Sequence, residues 1–299
     1  MNYKKIIQKR STRQKILKFL SFIPDKPMIK TQYWIKTGRR LNLKNPQRYT
    51  EKLQWYKLNY KNPLMVQCVD KYDVREYVNE HGLGHILNEC YGVFESSTDV
   101  DFDKLPNSFV IKDSLGGGGN SVIICKDKSK ADLDSYRKSM DAWLNKKQIR
   151  AGGREWPYYS GKKHRIVIEK YLEQEDGDLQ DYKFFCFNGT VFCSYLMSDY
   201  RENHENGKLG FLDRDFNLLN ACRTDFKPLD EKPIMPKNYY KMVEYAEILS
   251  ESFPHVRVDF YNIDGTIIFG ELTFFMASGY LSFSPDSFDY EMGKQFVLP

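Results

Sequence analysis

The sequence predicts an α+β protein of two lobes sharing a cleft, preceded by a basic helical segment. Three observations carry this expectation. The chain has 299 residues, 41% of them hydrophobic, enough apolar material for one large core or two smaller ones. Apolar residues at helical spacing give way along the chain to short strand-like runs joined by glycine and Asn-Gly turns. No run approaches the roughly 20 apolar residues of a membrane-spanning helix. The expected division is a basic helical segment over 1–60, a first α+β lobe over 61–168 and a second over 169–299.

The N-terminal segment is set apart by charge. Residues 1–45 hold 13 Lys/Arg against the single Asp25, which leaves 32 basic against 39 acidic side chains in the remainder. Tyr3, Ile6, Ile7, Ile16, Leu17, Leu20 and Ile23 give it an apolar stripe. Two readings stand: a helix docked on its own protein, or peripheral contact of residues 1–24 with an anionic membrane surface. Arg10, Thr12 and Arg13 interrupt the stripe and favour docking. Nucleic acid is disfavoured, because the acidic remainder repels phosphate backbones. The segment lacks the uniform apolar stretch and cleavage site of a secretory signal. Cys68, Cys90, Cys125, Cys186, Cys193 and Cys222 are scattered with no CxxC pair, which reads as reduced thiols of a cytosolic protein.

From 46 to 82 the pattern is helical. Leu53, Tyr56 and Leu58, then Val69, Tyr72, Val74, Tyr77 and Val78, recur at spacings near three and four, with a break at Asn62-Pro63. Strands are then expected over 108–112 and 122–125, flanking Gly116, Gly117, Gly118 and Gly119. A helix over 130–147 follows, opened by Asp132 or Asp134. A strand over 165–172 leads to an acidic turn at 173–178. Asn188-Gly189 joins two strands as a hairpin, because both residues tolerate positive φ. The connections between Lys183 and Tyr239 are long and polar, a setting for substrate contacts. Last come a helix over 239–252 and a hairpin over 256–274.

The chemistry gathers at four places. Four glycines expose backbone N–H groups that can close around phosphate oxygens. They lie between two strands with no GK[ST] after them, which excludes a Walker A loop and leaves a flap over a nucleotide. Lys112 before the flap and Lys183 in an aromatic strand are cations suited to phosphate, and a solvated strand lysine is the alternative reading of each. Glu169-Lys170-Tyr171-Leu172 ends a strand with groups able to read adenine, and Glu173 or Asp176 can accept from ribose.

In the final hairpin, alternation puts Arg257 with Asp259 and Glu271 with Thr273, oxygen ligands of the kind Mg²⁺ takes. Register decides whether the two carboxylates share a face. A two-residue Asp264-Gly265 turn pairs Ile263 with Thr266 and is expected to leave them on opposite faces. A three-residue turn pairs Asn262 with Thr266 and sets Arg257 across from Glu271, and this is the expected form.

Taken in order, the first lysine, the glycine flap, the Glu-Lys-x-Leu connector, the second lysine, the Arg-x-Asp strand and the glutamate strand resemble the ATP-grasp superfamily. Val69-Asp70-Lys71-Tyr72, Gly153-Arg154-Glu155-Trp156-Pro157-Tyr158, the run 181–189 and the run 256–261 resemble its TupA-like family more closely, over about 45–299. The resemblance implies an ATP-grasp fold whose two lobes grip ATP. It implies that Lys112 and Lys183 hold phosphates, that Glu169 with the backbone of Lys170 and Leu172 reads adenine, and that Asp176 holds ribose. Asp259 and Glu271 would hold Mg²⁺. Thr273 stands where the superfamily usually has an Asn ligand, which implies a weaker or water-mediated second metal. Met276-Ala277-Ser278-Gly279 lacks the usual proline-glycine turn.

The implied activity is an ATP-dependent carboxylate–amine ligase acting through an acyl phosphate. Its substrates would be a small amine and a uronic acid of a surface polysaccharide or its precursor. Arg257 would stabilise the transferring phosphoryl group, and Arg154 would either grip an anionic acceptor or clasp Glu155. A kinase-like phosphotransferase acting on a glycan hydroxyl and a non-catalytic glycan- or membrane-associated module are the alternatives.

Overall fold

The structure is a computed structural model that describes residues 10–117, 121–146, 152–173, 179–198 and 207–299. Gly118, Gly119 and Asp176 lie outside the described residues, as do Tyr3, Ile6 and Ile7. The chain forms two compact units. Among the described residues, one draws on Pro63–Gln148 and Pro157–Leu179, the other on Met1–Asn62, Ile149–Trp156 and Gln180–Pro299.

The smaller unit is built on a four-stranded antiparallel sheet. Its strands are β1 (Cys90–Phe94), β2 (Phe109–Asp113), β3 (Val122–Cys125) and β4 (Ile166–Lys170), in the spatial order β1-β4-β2-β3. Period-two alternation turns Phe109, Ile111, Ile166 and Ile168 into a core shared with Val100, Phe102, Leu105, Cys125 and Met140. The same alternation sends Lys112 and Glu169 to the opposite face. Met140 belongs to the helix Leu133–Leu144, whose first turn is capped by Asp132, Oδ1 accepting from the Ser135 N–H at 3.0 Å. β1 has no strong signal in sequence, because all five of its residues are only half-buried.

The larger unit carries a six-stranded sheet. It contains β5 (Asp181–Phe187), β6 (Thr190–Ser198), β7 (Lys208–Asp213), β9 (Lys227–Pro228), β10 (His255–Ile263) and β11 (Thr266–Thr273), in the order β11-β10-β5-β6-β7-β9. β8 (Cys222–Arg223) pairs separately with β12 (Phe283–Ser284). The stretch read as polar connections therefore contributes three strands. Asn188 and Gly189 take φ of 51° and 78° and join β5 to β6 as expected.

One face of this sheet packs Phe184 and Phe260 against the helix Tyr239–Ser250 through the Tyr239 ring. The other face carries Phe185, Phe187 and His255 against Tyr49, the first residue of the helix Tyr49–Asn59. That helix is fastened to the C-terminal helix Ser287–Gln295 through Asp289, whose Oδ1 accepts from the Thr50 N–H at 3.0 Å. Among the described residues no helix is long and apolar enough to cross a membrane.

The last hairpin corrects the expected register. Ile263 pairs with Thr266 across a two-residue turn, in which Asp264 and Gly265 have φ of 52° and 94°. Further along, Phe260 pairs with Phe269 but Asp259 pairs with Glu271, so Gly270 is an unpaired extra residue, a β-bulge. The inserted residue shifts the alternation by one, and Asp259 faces Glu271 while Arg257 faces Thr273. A regular ladder after this turn would have separated the carboxylates. The bulge unites them.

Candidate functional site

The larger unit assembles five of the expected residues on one sheet face. β10 lies between β5 and β11, which sets Asp259 opposite Lys183 on one side and Glu271 on the other. Lys183 Nζ is 2.7 Å from Asp259 Oδ2 and also bonds to Asp181 Oδ2. The Arg257 guanidinium forks onto Asp259, Nε to Oδ1 at 2.7 Å and Nη2 to Oδ2 at 2.6 Å, and Nη2 reaches Glu271 Oε1 at 3.1 Å and Thr273 Oγ1 at 3.0 Å. The Thr273 hydroxyl donates to Glu271 Oε1 at 2.9 Å. Tyr195, opposite Lys183 on β6, lies 5.9 Å from the Arg257 charge.

Three carboxylates thus meet two buried cations, with Asp259 buried between them and Glu271 exposed at the edge. Burial works against the Lys183 ammonium, but Asp259 and then Asp181 outweigh it and hold its pKa above the ordinary lysine value. Burial likewise opposes the Arg257 charge, and Asp259 outweighs it. Burial pushes the Asp181 carboxyl up while Lys183 pulls it back, and its Oδ1 is buried with no hydrogen-bond partner among the described residues.

The donor set fits Mg²⁺ in kind. Asp259 and Glu271 are adjacent hard oxygen donors, and the Glu271 side chain is 51% exposed. Among the described residues no three His, Cys, Asp or Glu converge on one metal position. Two carboxylates completed by phosphate and water oxygens is the usual arrangement for this ion.

The smaller unit holds the other group. Lys112 and Glu169 lie diagonally across the β2–β4 ladder, with Nζ 2.6 Å from Oε2, and Arg75 stands 3.7 Å from Oε1. The flap begins after β2. A Cβ on Gly116 would come within 2.6 Å of Ser121 Cβ, so close packing requires glycine there, whereas a Cβ on Gly117 would meet nothing within 4 Å among the described residues. The Lys170 N–H bonds to Glu89 O and its carbonyl accepts from Asn88 Nδ2, both at 2.9 Å. A carbonyl has a second lone pair to offer. No hydrogen bond among the described residues engages the Leu172 backbone.

Arg154 is directed inward. It has φ of 58° and is 2% exposed, and its guanidinium donates to Ile23 O at 2.7 Å, Leu20 O at 2.8 Å and Asp25 Oδ1 at 3.0 Å. It clasps the N-terminal segment through Asp25 and two carbonyls.

Two lysines have contacts that the sequence reading did not assign. Lys71 Nζ donates to the Gly116 carbonyl at the base of the flap, although the segment Val69–Tyr72 had already marked it. Lys57 is buried and donates to Gln54 Oε1 at 2.9 Å and to the carbonyls of Gly153 and Ser278, both at 2.8 Å. Burial lowers its pKa to about 7, with Glu155 working the other way. Glu155 accepts from Ser278 Oγ at 2.5 Å. These contacts hold Ala277, Ser278 and Gly279 at φ of 45°, 58° and 68°, a left-handed run that needs such support. The available signal was the place of Lys57 on the apolar stripe of Leu53 and Tyr56.

Residues 51–297 match the family described as TupA-like ATPgrasp. None of the curated proteins matches the chain. Among solved structures it is similar to D-alanine–D-alanine ligase from Helicobacter pylori, at 16% identity over 84% of this chain and 70% of that one, with a TM-score of 0.49. It is also similar to D-alanine–D-alanine ligase from Bacillus anthracis, at 18% identity over 69% and 57%, with a TM-score of 0.43. L-amino acid ligase from Bacillus licheniformis is 14% identical over 86% and 57%, with a TM-score of 0.45. The chain thus spans little more than half the length of the last two.

Proposed function

The chain belongs to the TupA-like ATP-grasp family, and from that premise we propose that it is an ATP-dependent carboxylate–amine ligase that works through an acyl phosphate. The observation that carries the reading is the bulged hairpin, which gathers Lys183, Arg257, Asp259, Glu271 and Thr273 on one face. Phosphoryl transfer gains most from positioning and charge neutralisation, and these residues supply both without a covalent nucleophile.

In this reading Asp259 and Glu271 hold Mg²⁺, with Thr273 beside them. The chemistry such an ion would supply there is neutralisation of phosphate charge. Lys183 and Arg257 would turn from Asp259 to phosphate oxygens, and Arg257 keeps its charge throughout because a guanidinium is not deprotonated in a protein. Lys112, with Gly116 to Gly119, serves the phosphates from the smaller unit. Glu169 with the backbone of Lys170 and Leu172 reads the adenine, and Asp176 takes the ribose. Arg154 acts as a clasp of the N-terminal segment, not as a hand for the acceptor. The substrates we assign are an amino acid or similar amine and a uronic acid of a surface polysaccharide or its precursor. Only the family supports that glycan assignment.

The test is purified protein with Mg·ATP and a panel of uronic acids, with and without amines, followed by hydroxylamine trapping. ADP, phosphate and a hydroxamate are expected. ADP with a stable phosphorylated glycan would replace the ligase with a kinase, and absence of ATP binding by calorimetry would remove both.

A further inference from the structure

The helix Arg10–Phe19 and the turn Leu20–Phe22 after it carry an aromatic pair that stands exposed among the described residues. Phe19 and Phe22 are 76% and 74% exposed and pack edge to face with ring centroids 6.2 Å apart. Ile16, three residues before Phe19 and so on the same helical face, is exposed as well. Lys15 and Lys18 are exposed beside them. The pair stands on a firm base, because buried Arg154 bonds to the carbonyls of Leu20 and Ile23 and to Asp25 just beyond it.

We infer that Phe19, Phe22 and Ile16, ringed by Lys15 and Lys18, form a contact surface for an anionic lipid bilayer. Charge selects this occupant. The first 45 residues carry 13 basic side chains and one acid, and Arg154 engages that acid, Asp25. The rest of the chain holds 32 basic against 39 acidic residues. An anionic surface therefore attracts this segment more than the acidic remainder of the chain. Aromatic side chains enter the headgroup region while lysines beside them meet lipid phosphates, and the two contributions add. Docking and membrane contact are compatible here, since the backbone of the segment is clasped while its rings point outward. This surface does not depend on the ligase reading.

The test is co-sedimentation of the full chain with vesicles of phosphatidylcholine alone and of phosphatidylcholine mixed with phosphatidylglycerol. The wild-type chain is expected to pellet with the mixed vesicles and to be released as salt shortens the Debye length from about 10 to 3 Å between 0.1 and 1 M. Lys15→Gln with Lys18→Gln should weaken partition about fivefold per lysine. Phe19→Ser with Phe22→Ser should weaken it by about tenfold per ring. Both variants change exposed side chains only, and unchanged circular dichroism and melting temperature verify that they fold. Equal pelleting with the two vesicle types, or undiminished pelleting of both variants, would overturn the inference.

Discussion

Substituting Gly270 with alanine tests the link between strand register and the proposed metal pair. A Cβ at this position would lie 2.9 Å from the Asp259 carbonyl oxygen, 3.3 Å from its carbon and 3.4 Å from its Cβ. The obstacle is backbone, and β10 is hydrogen-bonded on both edges, to β5 and β11. Little can move. Either the strands splay, at a cost of about 1–3 kcal/mol for overpacking, or the bulge is expelled and Glu271 and Thr273 rotate to the opposite face. Each route separates Glu271 from Asp259. Gly270→Ala is therefore expected to lower the melting temperature by about 2–4 °C per kcal/mol lost and to abolish the further rise expected of the wild-type protein with Mg·ATP. Scanning fluorimetry with and without Mg·ATP reads both effects, and calorimetric titration checks the second. Gly117→Ala is the control for stability alone, because a Cβ there meets nothing within 4 Å among the described residues and stability should change by less than about 0.5 kcal/mol. A Gly270→Ala protein with wild-type melting temperature and undiminished Mg·ATP affinity would refute the role assigned to the bulge.

Two further outcomes concern buried charge. Asp259→Asn removes the anion shared by Lys183 and Arg257, and breaking such a buried arrangement costs about 3–5 kcal/mol. Urea denaturation without nucleotide should show this loss, and adding Lys183→Met should recover part of it. Additive single effects would indicate that the pair is not coupled. His255 is fully buried, its Nδ1 2.9 Å from Cys186 O and its Nε2 3.0 Å from Tyr49 Oη, and burial lowers its pKa to about 3. The unfolded chain takes up this proton near pH 6.5 while the folded chain does not. Stability is therefore expected to fall as pH drops from 6.5 towards 3, by up to about 5 kcal/mol from this group. His255→Gln should flatten that part of the pH dependence of the melting temperature, and an unchanged slope would count against the assignment.

Local chemistry was legible where local rules decide the outcome. Asn188-Gly189 announced a hairpin because two adjacent residues both tolerate positive φ, and Asp132 capped its helix as a short acidic side chain does. Alternation placed Lys112 away from the core formed by Phe109 and Ile111, and put Arg257 on the same face as Asp259. β1 and β7 were harder to find, because a strand whose burial does not alternate leaves little periodic signal. Lys57 and Arg154 look like surface cations in isolation. Their carbonyl partners, Ser278 for one and Leu20 for the other, are remote in the chain.

The residue types, their periodic faces and the order of the motifs belong to the sequence alone, and these suffice to indicate the family and the chemistry. Which carboxylates meet is a different matter. The turn at Asp264-Gly265 is set by two residues, but the bulge at Gly270 depends on how closely β11 approaches the Asp259 carbonyl while β5 holds the other edge of β10. One unpaired residue reverses every side chain beyond it, so the pairing of Asp259 with Glu271 follows from backbone contact across three strands and has no signature in any one of them.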